Sequence, residues 1–151
     1  MSYQGGCQCG AIRFQFDVEP EVVYCCHCTD CQRQSSSAFG VSVWFPASEF
    51  KLLQGELSFW NTLSEAGNTK ICSFCSNCGA RIYHAFDDDT DTLSVKGGTL
   101  DRISELKPAA HIWIRSAQPW VKQNLLQQLT FEEEPDTFDQ IIQTYQAQFK
   151  D

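Results

Sequence analysis

Nine cysteines stand in three groups along this chain: Cys7 and Cys9; Cys25, Cys26, Cys28 and Cys31; and Cys72, Cys75 and Cys78. Thiolates two or three residues apart reach one metal ion with little backbone strain, whereas a disulfide between such close neighbours is strained or redox-active. An odd cysteine count weakens a disulfide framework further. The spacing therefore points to zinc, ahead of an iron–sulfur cluster and well ahead of cross-links.

Neither C-x-C nor C-x-x-C completes a tetrahedral site alone. Joining Cys7 and Cys9 to Cys75 and Cys78 supplies four thiolates, the set of a closed structural zinc, which contributes on the order of 10 kcal/mol to folding. Gly10 follows Cys9 and Gly79 follows Cys78. A glycine there lets the backbone turn tightly and aim amides at sulfur. Cys26, Cys28 and Cys31 remain, and three protein ligands with an open fourth position is the arrangement of a catalytic zinc. The alternative is that Cys25, Cys72 or His27 closes this second site. His27 lies between two ligands, so its ring is expected to point away from a metal that both hold. Cys25 and Cys72, at the end of an apolar stretch and within a strand, read as buried fillers.

The elements that must position these thiols are mainly short strands in a single domain over 1–151. Ile12, Phe14, Phe16 and Val18 alternate with polar residues as a half-buried strand. Val22–Tyr24 and Val41–Phe45 follow, the latter stopped by Pro46. Phe50–Leu53 and Leu57–Trp60 read as a hairpin around Gln54-Gly55-Glu56. Thr69–Phe74, Ala80–Ala85 and Leu93–Lys96 complete the strands, with loops at Asn61–Asn68 and Asp87–Asp91. From Asp136 as a cap, a helix over about 136–149 carries Phe138, Ile141, Ile142, Tyr145 and Phe149 on one stripe.

A formal charge of −8 excludes a nucleic-acid backbone as partner but not a small anionic ligand. Nowhere do about eighteen apolar residues run together, and the start lacks the pattern of a secretory signal. These features suggest a soluble cytoplasmic protein in which free thiols persist.

The motifs Gly6-Cys7-Gln8-Cys9-Gly10, Cys26-His27-Cys28-Thr29-Asp30-Cys31-Gln32-Arg33 and Phe74-Cys75-Ser76-Asn77-Cys78-Gly79 resemble those of one family. Gly55-Glu56-Leu57, Gly98-Thr99-Leu100-Asp101, His111-Ile112-Trp113-Ile114-Arg115-Ser116 and Pro119-Trp120 extend the likeness over about residues 5–133. The family is that of glutathione-dependent formaldehyde-activating enzymes, which includes centromere protein V. This resemblance implies a β-tent fold. It also implies two zincs per chain, on Cys7, Cys9, Cys75 and Cys78 and on Cys26, Cys28 and Cys31, and S-(hydroxymethyl)glutathione synthesis as a carbon–sulfur lyase reaction. The Cys25–Cys26 pair departs from the family pattern, as does Arg102 after Asp101.

On this reading a thiol, glutathione first, takes the open position of the second zinc and adds to formaldehyde or a related small aldehyde. His27 is the candidate proton relay. Arg33 and then Lys96 are the candidate cations for glutathione's carboxylates. Arg115 is expected to pair internally in an apolar strand, and the Trp113–Trp120 segment to lie in the core, a pocket wall being the alternative for one ring. Two other functions remain open: a zinc-stabilised binding module without catalysis, and a thiol redox enzyme working through Cys25 and Cys26.

Overall fold

The computed structural model describes residues 1–64 and 67–149. The described residues form ten strands: β1 (Tyr3–Gly6), β2 (Arg13–Phe16), β3 (Val22–Cys26), β4 (Gly40–Pro46), β5 (Lys51–Gln54), β6 (Ser58–Leu63), β7 (Thr69–Phe74), β8 (Arg81–Phe86), β9 (Asp89–Lys96) and β10 (His111–Ile112). Three α-helices accompany them: α1 (Thr29–Ser35), α2 (Pro119–Lys122) and α3 (Asp139–Ala147). The protein is mainly β with a C-terminal helix, as its alternating apolar pattern requires. None of the described helices is long and apolar enough to cross a membrane.

The chain divides into two compact units. The first comprises Met1–Pro20 and Val43–Ile103. Here β2 pairs antiparallel with β1 on one side and β5 on the other, while β6, β7, β8 and β9 form a continuous antiparallel run. Alternation along β2 sends Phe14 and Phe16 inward at 0 % exposure. Phe16 stacks on Phe45 with centroids 4.1 Å apart, and Phe50 joins Phe14 to Tyr83. Each such ring contributes about 2–3 kcal/mol by leaving water.

The second unit comprises Glu21–Ser42 and the chain from Ser104 onward. All five residues of β3 are buried, and β10 runs parallel to it with His111 opposite Cys25 and Ile112 opposite Cys26. Helix α3 lies on β3, burying Ile141 and Tyr145, and the Phe138 ring meets Tyr24 at 5.3 Å. Ile114, Val121 and Leu125 form a smaller apolar cluster with Ala38, Phe39 and Ala117.

Four expectations are corrected. β5 and β6 are not a hairpin: β5 pairs with β2 and β6 with β7. Their exposed Leu52, Leu53, Phe59 and Trp60 imitate the apolar signal of a paired ribbon. In the segment expected as a loop over Asn61–Asn68, Asn61–Leu63 is strand, and residues 65 and 66 lie outside the described residues. The acidic run is a tight turn at Asp87 and Asp88, after which β9 already begins at Asp89. The last helix starts at Asp139 rather than Asp136, and Phe149 at its end is 61 % exposed.

Candidate metal centres

Two turns of the same build bring the first four thiols together. In one, the Cys7 N–H donates to Ile12 O (3.2 Å) and the Gly10 N–H to Cys7 O (3.3 Å). In the other, the Cys75 N–H donates to Ala80 O (2.9 Å) and the Gly79 N–H to Cys75 O (2.8 Å). Gly10 and Gly79 have φ of +82° and +79°, a conformation that a side chain would strain. The four sulfurs lie within 4.8 Å of one another. Backbone amides point at them, beginning with Ile12 N–H on Cys7 Sγ at 3.2 Å. Amides of Ala80 and then Cys9 bring the Cys78 thiol down to about 6. Burial alone would raise Cys7, but the Ile12 amide and the Cys9 and Cys75 thiols outweigh it, and its pKa falls. Four sulfurs within 4.8 Å, two of them (Cys7 and Cys78) biased toward thiolate, fit a tetrahedral metal site, and zinc is compatible with that set.

The second group belongs to the other unit. Cys26 ends β3, Cys28 caps α1 and Cys31 lies in its first turn, with the three sulfurs within 4.8 Å of one another. Cys28 Sγ accepts the Cys31 N–H at 3.3 Å, so a candidate ligand also serves as the helix cap. Hydrogen bonds with Cys28 and Cys31, then burial, push the Cys26 thiol far up, because three close thiols disfavour losing their protons without a cation between them. Among the described residues no fourth metal-binding side chain joins this trio.

His27 faces elsewhere. Its ring is fully buried, with Nε2 2.9 Å from His111 Nδ1, and His111 Nε2 is 2.8 Å from Gln128 Oε1. The Gln128 carbonyl takes the His111 Nε2–H, which leaves His111 Nδ1 to accept from His27 Nε2–H. A buried lone pair without a partner remains on His27 Nδ1. Burial, and then His111, lower the His27 pKa to about 4.

Gln32 ties this loop together. It donates to His27 O (2.8 Å) and Ser116 O (2.9 Å) and accepts from Gln118 Nε2 (2.9 Å). An open cavity of about 660 Å³ runs along α1, lined by Gln32, Arg33, Ser36, Ser37, Gln118 and Trp120 among others. Trp120, in a segment expected to be core, is instead 65 % exposed and lines it. Lys96 belongs to the first unit, where its Nζ lies 2.7 Å from His84 Nδ1. Arg115 sits in a single helical turn, not a strand, and pairs on the surface with Glu133.

The leftover cysteines join neither group. Cys25 is 2 % exposed and burial pushes its thiol up to about 12, while Cys72 is 1 % exposed. A buried thiol held neutral is a poor nucleophile, which argues against a redox role for Cys25. Sequence reasoning did not single out Gln32, His111 or Gln128. Gln32 and His111 stand in the motifs that carry the resemblance, without a role read for either, and Gln128 carries no signal.

The sequence profile of the glutathione-dependent formaldehyde-activating enzymes matches residues 2–116. The chain belongs to this family. Among solved structures, a Rhodobacter sphaeroides protein resembles this family member with a TM-score of 0.51 and 17 % identity, across 85 % of this chain and 98 % of that one. At that identity the likeness concerns the fold alone.

Proposed function

We propose that this protein is a zinc-dependent enzyme of the carbon–sulfur lyase type that adds a thiol, glutathione first, to formaldehyde or a related small aldehyde. The observation that carries the reading is a group of three thiols, with no fourth among the described residues, gathered at the start of the helix that also lines an open polar cavity. Cys7, Cys9, Cys75 and Cys78 would hold a structural zinc; Cys26, Cys28 and Cys31 would hold the working one. When bound there, zinc supplies a position for a fourth sulfur and lowers the pKa of a thiol that takes it.

The chain's own residues supply the rest. Arg33 offers the cavity a guanidinium whose planar fork suits a carboxylate. Gln32, Ser36, Ser37 and Gln118 add neutral hydrogen-bonding groups, and Trp120 an apolar wall. Holding thiol and aldehyde in one orientation is the larger part of the catalysis asked of them. His27 keeps a lone pair on Nδ1, but its ring is buried, turned to His111 and held at a pKa of about 4, so its part is to fix the trio's loop rather than to accept the thiol's proton.

Metal analysis of the full chain tests this first: two zincs, one exchangeable, are expected. The exchangeable site is then loaded with cobalt and titrated with glutathione. A new sulfur-to-cobalt charge-transfer band, together with glutathione-dependent consumption of formaldehyde, is the expected outcome. An unchanged spectrum removes glutathione as the substrate, and two equally inert metals support a binding module instead.

A further inference from the structure

One face of the β7–β8–β9 sheet gathers positive charge in a chain whose formal charge is −8. Trp60, Cys72, His84 and Ser94 stand opposite one another across β6, β7, β8 and β9 and so share this face. Lys70 lies two residues before Cys72 and Lys96 two after Ser94, which places both on the same side. The Arg81 guanidinium sits 5.5 Å over the Trp60 ring. Three of the chain's eleven lysines and arginines therefore surround one histidine.

The histidine is neutral. An ammonium has only hydrogens to give, so the 2.7 Å contact makes His84 Nδ1 an acceptor from Lys96 and leaves the ring hydrogen on Nε2. Burial first, then Lys96, Lys70 and Arg81, hold its pKa well below the usual histidine range. Lys70, His84 and Ser94 are 9 %, 7 % and 6 % exposed. Arg81 Nη1 and Ser94 Oγ are buried with no hydrogen-bond partner. Among the described residues no carboxylate forms an ion pair with Lys70 or Arg81. A buried charge without a counter-charge is costly, and so is a buried donor without an acceptor.

We propose that this face is a binding site for a small oxyanion, a carboxylate or phosphate group, held by Lys70 and Arg81 with Ser94 and His84 as neutral donors and Lys96 closing the cluster. Every group named has a hydrogen to give, and a negative ligand relieves the mutual repulsion of Lys70 and Arg81. Trp60, 51 % exposed beneath Arg81, offers a ring against which the carbon skeleton of a metabolite packs. The site lies wholly within the first unit and rests on no part of the reading given to the cysteine trio.

The test follows the His84 ring nitrogens by NMR in the metal-loaded full chain, labelled at histidine. Inorganic phosphate and succinate are titrated separately, with chloride holding ionic strength constant. A saturable His84 shift at millimolar concentration is expected with at least one of them; the tighter probe tells a tetrahedral from a planar anion. In the Lys70→Met, Arg81→Met protein the half-saturation concentration rises about tenfold or more, as loss of a charge-assisted hydrogen bond requires. Lys51→Met, whose partner is Asp17, leaves it unchanged. If the double variant does not fold, Lys70→Gln alone is read the same way. The absence of a saturable shift with both probes overturns the site, and so does a shift indifferent to Lys70 and Arg81.

Discussion

Replacing Gln32 by methionine tests whether the trio is positioned by the loop that carries it. The side chains are similar in size, so packing along α1 is kept while three hydrogen bonds at 2.8–2.9 Å disappear. The carbonyls of His27 and Ser116 each lose a donor in a half-buried setting, at about 1 kcal/mol apiece. Gln118 loses an acceptor at the cavity wall, where water replaces it at little cost. The sum is about 2 kcal/mol, which lowers Tm by roughly 6 °C for a chain of this size. Because His27 lies between two of the thiols, the exchangeable metal should also weaken, by about tenfold as for other groups that orient metal ligands. Calorimetry and competition with a chromophoric chelator measure the two effects. Gln32→Glu keeps an acceptor for Gln118 but turns a carboxylate toward two carbonyls, so it should fall at least as far. A Tm within about 1 °C of the native protein and an unchanged metal affinity would refute the reasoning.

Other outcomes follow from the same structure. Arg33→Met should raise KM for glutathione about tenfold, with kcat little changed, since an exposed guanidinium is lost from binding alone. Cys25→Ala should leave metal content and activity as they are; loss of a reductant-coupled activity would instead revive the redox alternative. Cys78→Ser should release the inert metal and unfold the first unit, read by circular dichroism and metal analysis. His84 has a folded pKa below its unfolded one, so its share of stability is present above about 6.5 and is lost as pH falls below that value, by up to about 1.4 kcal/mol per unit. Denaturant titrations between pH 7 and 5 should show a shallower acid slope in His84→Gln than in the native chain.

The cysteine grouping was legible because ligand spacing is a local property: a C-x-x-C pair and a following glycine specify a turn wherever they occur. The alternation of Ile12, Phe14 and Phe16 was legible for the same reason. Helix α1 was not, since Thr29–Ser35 has no apolar period and its cap is a cysteine sulfur rather than Ser, Thr, Asp or Asn. The β5–β6 hairpin failed because strand propensity says nothing about which strand is the partner. The His27–His111–Gln128 chain joins residues 84 and 17 positions apart, and no sequence pattern marks it before the fold brings them together. Lys96 was read as a cation awaiting a ligand, whereas the structure joins it first to a histidine that the sequence left unremarked.

The two matched turns that gather Cys7, Cys9, Cys75 and Cys78 have a consequence for how the chain finds its fold. Cys9 and Cys75 are 66 residues apart, so an ion that joins them ties a long loop shut. By the relation used for covalent cross-links, closing a loop of that length removes about 4 kcal/mol of disorder from the unfolded chain. A disulfide would make that knot permanent and open to reductants. A metal clasp on these four thiols would be untied by a chelator and retied by its ion, and folding of the first unit would then start from the bench on adding one reagent.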